Sequence, residues 1–271
     1  LFNDGVALDA TAHSKAGNLA GYWRNDGAGT WLDRSISENL TLDGVNDYVD
    51  VGSINVGTSG SVSFWAKRTD TSNTYESLIR GNGNYMLMTT GTASIYIRGG
   101  GGAYQALSFS NHNDNNWHHW TYVRDGTIVT VYLDGDSEIN SHTNEAWTSD
   151  MIMTGIGNGS DNTFEGVMDQ VSCWDVALTP ANVLSIYNAG RSVTEVQTVL
   201  PSLASNLKGY WQFETENLAT ATTVTDLSGN GNTATLTSGA TISGDNDGTP
   251  AGSPETILLP EGTTSGKDIL G

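Results

Sequence analysis

From Ser61 onward the chain alternates apolar and polar side chains in short runs, the period-two pattern of half-buried strands. Ser61–Arg68, Tyr85–Met88, Ser94–Arg98 and Ala106–Phe109 are such runs, set apart by Gly and Asn, which favour turns. The clearest hairpin joins Trp117–Arg124 to Thr127–Leu133 through Asp125-Gly126, a dipeptide suited to a two-residue turn with positive φ. Another strand pair is expected within Phe164–Trp174. Trp65, Val123, Val131 and Val171 lie on the strongest alternating runs and are expected on the inner faces. The period then changes. Thr179 as N-cap, Pro180 in the first turn, Val183 and Tyr187 on one face and Gly190 as the stop predict a helix near 179–188.

Many short strands with turn signals and one late helix predict an all-β protein, an antiparallel two-sheet jelly-roll sandwich. Composition agrees: Thr, Gly and Asn make up 90 of 271 residues, which disfavours long helices. With 37% hydrophobic residues and 23 aromatics the chain has enough apolar material for a core. A net charge of -19 with 11 scattered basic residues argues against nucleic acid, whose binding needs clustered cations. It argues equally against anionic membranes. No apolar run approaches the ~18 residues of a membrane-spanning helix, so a soluble chain is expected. Cys173 stands alone, which leaves neither a disulfide framework nor a cysteine metal cluster.

The two ends of the chain echo one another. Leu19-Ala20-Gly21-Tyr22-Trp23 is answered by Leu207-Lys208-Gly209-Tyr210-Trp211, Asp33-Arg34-Ser35 by Asp226-Leu227-Ser228, and Leu40-Thr41-Leu42 by Ala234-Thr235-Leu236, all in order. Leu1-Phe2-Asn3-Asp4-Gly5 is likewise answered by Ile186-Tyr187-Asn188-Ala189-Gly190. The expected organisation is an N-terminal segment (1–18), a jelly-roll domain (19–190) and a partial second β unit with a tail (191–271). Tyr210, Trp211 and Phe213 bring apolar faces that this partial unit cannot bury by itself. It is therefore expected to pack on the main sandwich, on the N-terminal segment or on a neighbouring subunit in a homo-oligomer.

Four motifs carry a family resemblance: Leu42-Asp43-Gly44-Val45-Asn46-Asp47-Tyr48-Val49, Val62-Ser63-Phe64-Trp65, Asn116–Val123 leading to Val131-Tyr132-Leu133-Asp134-Gly135, and Phe164–Trp174. In this order they resemble the concanavalin A-like lectin/glucanase superfamily, in its laminin-G/pentraxin-like branch. That scaffold hosts lectins, glycosidases, adhesins and spacers, so the resemblance implies a fold more than a function. The tail from Gly252 to Gly266, with the opening segment, resembles structural proteins of marine bacterial viruses.

Glycosidases of the superfamily carry Glu-x-Asp-x-x-Glu on one strand, which sets two carboxylates about 5 Å apart. No Glu here has an Asp two residues later, so that route has no residues to run it. Glu165 and Asp169 would share a strand face, but in the family the Asp matching Asp169 is structural or metal-binding. His118 and His119 are adjacent on a strand and point to opposite faces. Asp134–Glu145 imitates a calcium loop but has Ile139 where the turn needs Gly. Calcium takes six to eight oxygens, which acidic Gly/Asn loops supply. The loop of Asn25, Asp26 and Gly27 is of this kind, and the resemblance implies a structural calcium near it and Asp169. Trp31, Tyr75, Tyr104 and Trp147 lie in or near loops, where they are candidates for stacking on sugar rings.

The sequence therefore reads as a non-catalytic, exposed structural or adhesive protein with a lectin-like domain. Its expected setting is a virion surface or the extracellular space. Its expected partners are other virion or surface subunits, including copies of itself, and glycans. A carbohydrate-binding module of a secreted protein is the alternative reading, and a polysaccharide-active enzyme the third.

Overall fold

In a computed structural model of the chain the described residues are 38–244 apart from 70–74, 82–83, 91–93, 99–102, 111, 145, 158–161 and 192–194, with the backbone of 2–3, 6–7, 23–25 and 31–33. They fall into two compact units, Glu38–Ser243 and a second made of Leu1–Ser37 and Gly244–Gly271. In the second, β1 (Phe2–Asn3) pairs with β2 (Val6–Ala7) and β3 (Trp23–Asn25) with β4 (Trp31–Asp33), both antiparallel.

The larger unit begins β5 (Glu38–Asp43), β6 (Tyr48–Gly57), β7 (Ser59–Arg68), β8 (Tyr75–Gly81), β9 (Asn84–Thr90), β10 (Ser94–Ile97) and β11 (Gln105–Ser108). It continues through β12 (His118–Asp125), β13 (Ile128–Leu133), β14 (Glu138–Thr143), β15 (Met151–Gly157) and β16 (Glu165–Trp174) to helices α1 (Pro180–Ala189) and α2 (Val196–Val199). The last strands are β17 (Leu207–Trp211), β18 (Leu218–Thr220), β19 (Thr223–Val224), β20 (Ala234–Thr237) and β21 (Thr241–Gly244). One sheet has the order β11-β10-β9-β8-β15-β6-β20-β19-β18; the other runs β14-β13-β12-β7-β16-β5-β21, with β17 also on β16. The result is an antiparallel two-sheet jelly-roll sandwich.

β6 shows how the sequence positions its side chains. Val49 and Val51 are buried while Tyr48 and Asp50 face outward; after Gly52-Ser53 the buried set becomes Ile54 and Val56. The parity flips because β6 carries extra residues against β15 at this point, a β-bulge that keeps apolar side chains inward. Between the sheets lie Leu40, Leu42, Val62, Phe64, Trp120, Tyr122, Val131 and Val171 among others.

A second apolar layer covers the opposite face of the β7/β12/β16 sheet. Val123, Tyr132, Trp174 and Tyr210 pack there under Val183 and Ile186 of α1. The predicted helix is present, with Thr179 and Asn182 forming a reciprocal capping box and Gly190 at the C-cap. Tyr187 stacks on Trp65 with ring centroids 5.6 Å apart. Opposite it stands Gly135, in the left-handed region with φ 75°. A Cβ on Gly135 would lie 2.8 Å from the Tyr187 ring. The helix packs this closely because that position is Gly.

Val131 and Val171 occupy the inter-sheet core as expected, but Val123 and Trp65 do not. The turn residues are Gly126 and Thr127, so Asp125 pairs with Ile128 and Val123 with Thr130. Across a two-residue turn, odd positions on one strand pair with even positions on the other. Val123 therefore shares a face with Thr130 and Tyr132, while Tyr122 accompanies Val131 inward.

The compact unit also departs from the expected 19–190 boundary. β17 pairs with β16, β20 with β6, and β21 lies beside β5, so residues 207–243 complete both sheets. Tyr210, Trp211 and Phe213 are fully buried. Asp226 fixes this segment by accepting backbone N–H bonds from Tyr210 (3.0 Å), Ser228 (2.9 Å) and Asn232 (2.9 Å). Packing on the main sandwich is thus the outcome for the C-terminal echo.

Candidate functional site

The outer face of the nine-stranded sheet carries a row of tyrosines. Ile95 and Ile97 point into the core, so Tyr96 between them must point outward. Its ring centroid lies 6.0 Å from that of Tyr75 and 6.5 Å from that of Tyr104, with interplanar angles of 17° and 30°. Tyr75 is 43% exposed; Tyr96 and Tyr104 are half-buried. The Arg98 guanidinium lies 5.5 Å from the Tyr104 ring centroid, and Arg80 lies 5.4 Å from that of Tyr48 on the same outer face. Aromatic rings held side by side offer flat apolar platforms with polar hydroxyl edges, the surface that a sugar's C–H face and hydroxyls fit.

Of the four aromatics expected to stack on sugars, Tyr75 and Tyr104 are brought together by Tyr96, a residue that loop position does not single out. Its signal lies in the Ile-Tyr-Ile alternation, which puts a large aromatic on the open side of an edge region. Trp147 must be corrected: it is fully buried in the core, with His142 against its ring at 5.8 Å. Its loop is drawn in because Arg124, also fully buried, donates to the carbonyls of Gly126 (2.8 Å), Trp147 (2.6 Å) and Ser149 (2.6 Å). Trp31 belongs to β4, and its side chain lies outside the described residues.

For the implied calcium, Asp26, Gly27 and the side chain of Asn25 lie outside the described residues. Asp169, the described member of that set, has partners within the protein. It is fully buried, Oδ1 accepts the Gln170 N–H at 2.7 Å, and Oδ2 lies 3.7 Å from Arg191 Nε. Arg191 in turn lies 3.6 Å from the Trp117 ring centroid. Gln170 holds a left-handed φ of 53°. It does so where β16 slips register, as a bulge requires, and its side chain joins the Arg191 carbonyl to the Tyr210 hydroxyl. The Asp169 carboxylate thus anchors a bulge. Among the described residues no group of three His, Cys, Asp or Glu side chains is placed to hold a metal.

The histidines have structural partners. His119 is fully buried between Trp65 and Tyr187 on the helix side, with Nε2 2.8 Å from Ser63 Oγ. Burial pushes its pKa down to about 3. Ser63 is itself fully buried, so the pair has no path to a substrate. His118 points the other way, with Nδ1 2.8 Å from Asp134 and Nε2 3.1 Å from Asp114. The Asp134 hydrogen bond raises its pKa. The same Asp134 accepts the His119 N–H at 2.8 Å, which ties the imitation calcium loop to β12. Cys173 is buried in the core, and desolvation raises its thiol pKa, so it is inert.

Two antiparallel sheets packed face to face in this order define a concanavalin A-like sandwich. A family model described as the concanavalin A-like lectin/glucanases superfamily, of laminin G type, matches residues 43–184, just over half the chain, and the chain belongs to that superfamily. No curated protein matches it. Among solved structures, it is similar to a protein from Bacteroides ovatus ATCC 8483 to which carbohydrate binding has been ascribed, with TM-score 0.55 and 15% identity over 76% of this chain and 59% of that one. The chain therefore spans about three fifths of that relative's length. It is also similar to the heptameric SAP-like pentraxin of Limulus polyphemus (TM-score 0.43, 13% identity, 57% of this chain and 83% of that one). Domains LG4-5 of the mouse laminin α1 chain give TM-score 0.40 and 11% identity over 53% of this chain and 44% of that one. At these identities the likeness is one of fold.

Proposed function

We propose that this chain is a non-catalytic, lectin-like adhesive component of an exposed assembly, which holds glycans on the row of Tyr75, Tyr96 and Tyr104. The three stacked rings on the open sheet face are the observation that carries this reading. Superfamily membership supports it, as does the lack of the paired-carboxylate motif of the glycosidases. The likeness of the tail to virion proteins favours a virus particle as the assembly, with the cell surface as the other setting. Display in several copies would multiply weak single-site binding through avidity.

The test is a glycan array followed by titration calorimetry on the full chain. At least one oligosaccharide is expected to bind at micromolar strength. Tyr96→Ala, which removes the middle ring of a solvent-facing row, should weaken binding by at least about tenfold, the equivalent of ~1.4 kcal/mol. Its melting temperature should stay within about 2 °C of wild type. Absence of any glycan ligand, or unchanged binding by Tyr96→Ala, would sink the proposal.

A further inference from the structure

The segment between β11 and β12 is held down by two histidines that need opposite protonation states. His112 is buried, with its ring edge-on to that of Trp120 at 5.1 Å. Its Nδ1–H donates to the Ser110 carbonyl at 3.3 Å, while Nε2 is buried with no hydrogen-bond partner among the described residues. A second proton would have to sit on Nε2, as a buried cation without an acceptor. His112 therefore fits this place only as neutral imidazole. Burial accordingly lowers its pKa to about 4; Arg68 of β7 and His118 oppose its charge, and Glu138 of β14 favours it.

His118 occupies a place that only the imidazolium satisfies. Nδ1 lies 2.8 Å from Asp134 Oδ2 and Nε2 3.1 Å from Asp114 Oδ1. A neutral imidazole has one N–H, so it would turn a lone pair towards one of the two carboxylates. Both are already oriented by backbone: Asp114 accepts the Asn116 N–H at 3.0 Å and Asp134 the His119 N–H at 2.8 Å. Asp134 belongs to the turn after β13 and Asp114 to the segment itself, so the imidazolium ties the segment to the sandwich. At the other end Ser110 gives its N–H and hydroxyl to Glu138. Beneath lie Trp120 of the inter-sheet core and the buried Arg68–Glu76 pair, which joins β7 to β8 across the sandwich at 2.6 Å.

We propose that Ser110 and His112–Trp117 form a pH-gated cover on this end of the inter-sheet core, shut by a neutral His112 and a charged His118 and released when either changes state. On the acid side the linkage is simple. In the open segment His112 meets water and titrates near 6.5, whereas in the closed one it resists protonation down to about 4. Opening therefore becomes easier by up to about tenfold per pH unit across that interval, roughly 50- to 100-fold in all. On the alkaline side the closed segment gives His118 two carboxylates and the open one leaves it Asp134 alone, so its raised pKa falls back on opening. Opening thus becomes easier again as pH rises above 6.5. This limb is the shorter. The Asp114 side chain is 34% exposed, and one such ion pair is worth about two- to fivefold. The cover is tightest between the two limbs.

The experiment is amide hydrogen exchange of the full chain between pH 4 and 9, read by mass spectrometry and divided by the intrinsic exchange rate at each pH. Peptides covering 109–117 should give a V-shaped profile with its minimum near or just above pH 6.5. The β13 amides should stay at least about tenfold better protected throughout. His112→Phe keeps a ring on Trp120 but cannot titrate, and should abolish the acid limb. Asp114→Asn should raise exchange at pH 6.5 about two- to fivefold and abolish the alkaline limb while leaving the acid limb in place. An acid limb of less than about fivefold in the wild type, or one that survives His112→Phe, overturns the proposal. So does an alkaline limb that survives Asp114→Asn. Segment and β13 exchanging at one rate would mean that the opening is global, which overturns the local cover.

Discussion

Trp211 tests whether the C-terminal echo belongs to the sandwich or forms a unit of its own. Its side chain is fully buried in the inter-sheet core, and Nε1 donates to the Asn232 carbonyl at 2.9 Å. Truncating a buried Trp to Ala removes its transfer free energy and leaves a cavity, together about 3–5 kcal/mol. Losing the indole donor leaves the Asn232 carbonyl short of a partner, which adds about 1 kcal/mol. For a domain of this size each kcal/mol moves the melting temperature by about 2–4 °C, so Trp211→Ala should melt roughly 8–24 °C below wild type. The assay is thermal denaturation followed by circular dichroism, with Ile139→Ala as control. Ile139 is 45% exposed. Its truncation should therefore cost no more than about 0.5 kcal/mol, as surface substitutions do. If Trp211→Ala shifts the transition no further than Ile139→Ala, residues 207–243 do not close the sheets and the packing argument fails.

Arg124→Met should cost at least about 3 kcal/mol, because three carbonyls lose a charged donor at once, and chemical denaturation would show the lower midpoint. Stability should fall as pH drops from about 6.5 towards 4, since burial lowers His112 to about 4 and His119 to about 3, so the unfolded chain binds protons that the folded one refuses. Two such groups give a slope of up to about 2.7 kcal/mol per pH unit, and denaturant midpoints at successive pH values would measure it. His118 has the opposite sign: its raised pKa stabilises the fold fully below 6.5 and that contribution is lost as pH rises through the folded value. Asp169→Asn should lower the melting temperature in thermal denaturation, because its carboxylate accepts the Gln170 N–H at the bulge and stands beside Arg191.

Local signals are readable wherever a single element decides the outcome. Thr179, Pro180 and Gly190 mark α1 because capping chemistry is confined to a few adjacent residues. Alternation likewise shows which residues share a strand face. It cannot show what covers the second face of β7 and β12, so it sends Trp65 and Val123 to the wrong core; the helix that buries them lies about sixty residues and more along the chain. Trp147 is misplaced for a related reason: loop position says nothing of burial when a distant arginine gathers the loop's carbonyls. The tyrosine row is half legible. Tyr75 and Tyr104 stand out near loops, but their meeting through Tyr96 depends on the register of three strands.

The closure of both sheets by the last strands sets a timetable for biosynthesis. The Thr41 hydroxyl meets that of Ser243 at 2.6 Å across 202 residues, and Asp50 of β6 pairs with Thr235 of β20. At a translation rate of about 5–20 residues per second, β5 and β6 wait roughly 10–40 s for partners that have not yet been made. Throughout that interval their unpaired edges are templates for strands of neighbouring nascent chains. Yield in the cell should therefore depend on translation rate and on chaperones that shield edges, more steeply than the stability of the finished sandwich would indicate.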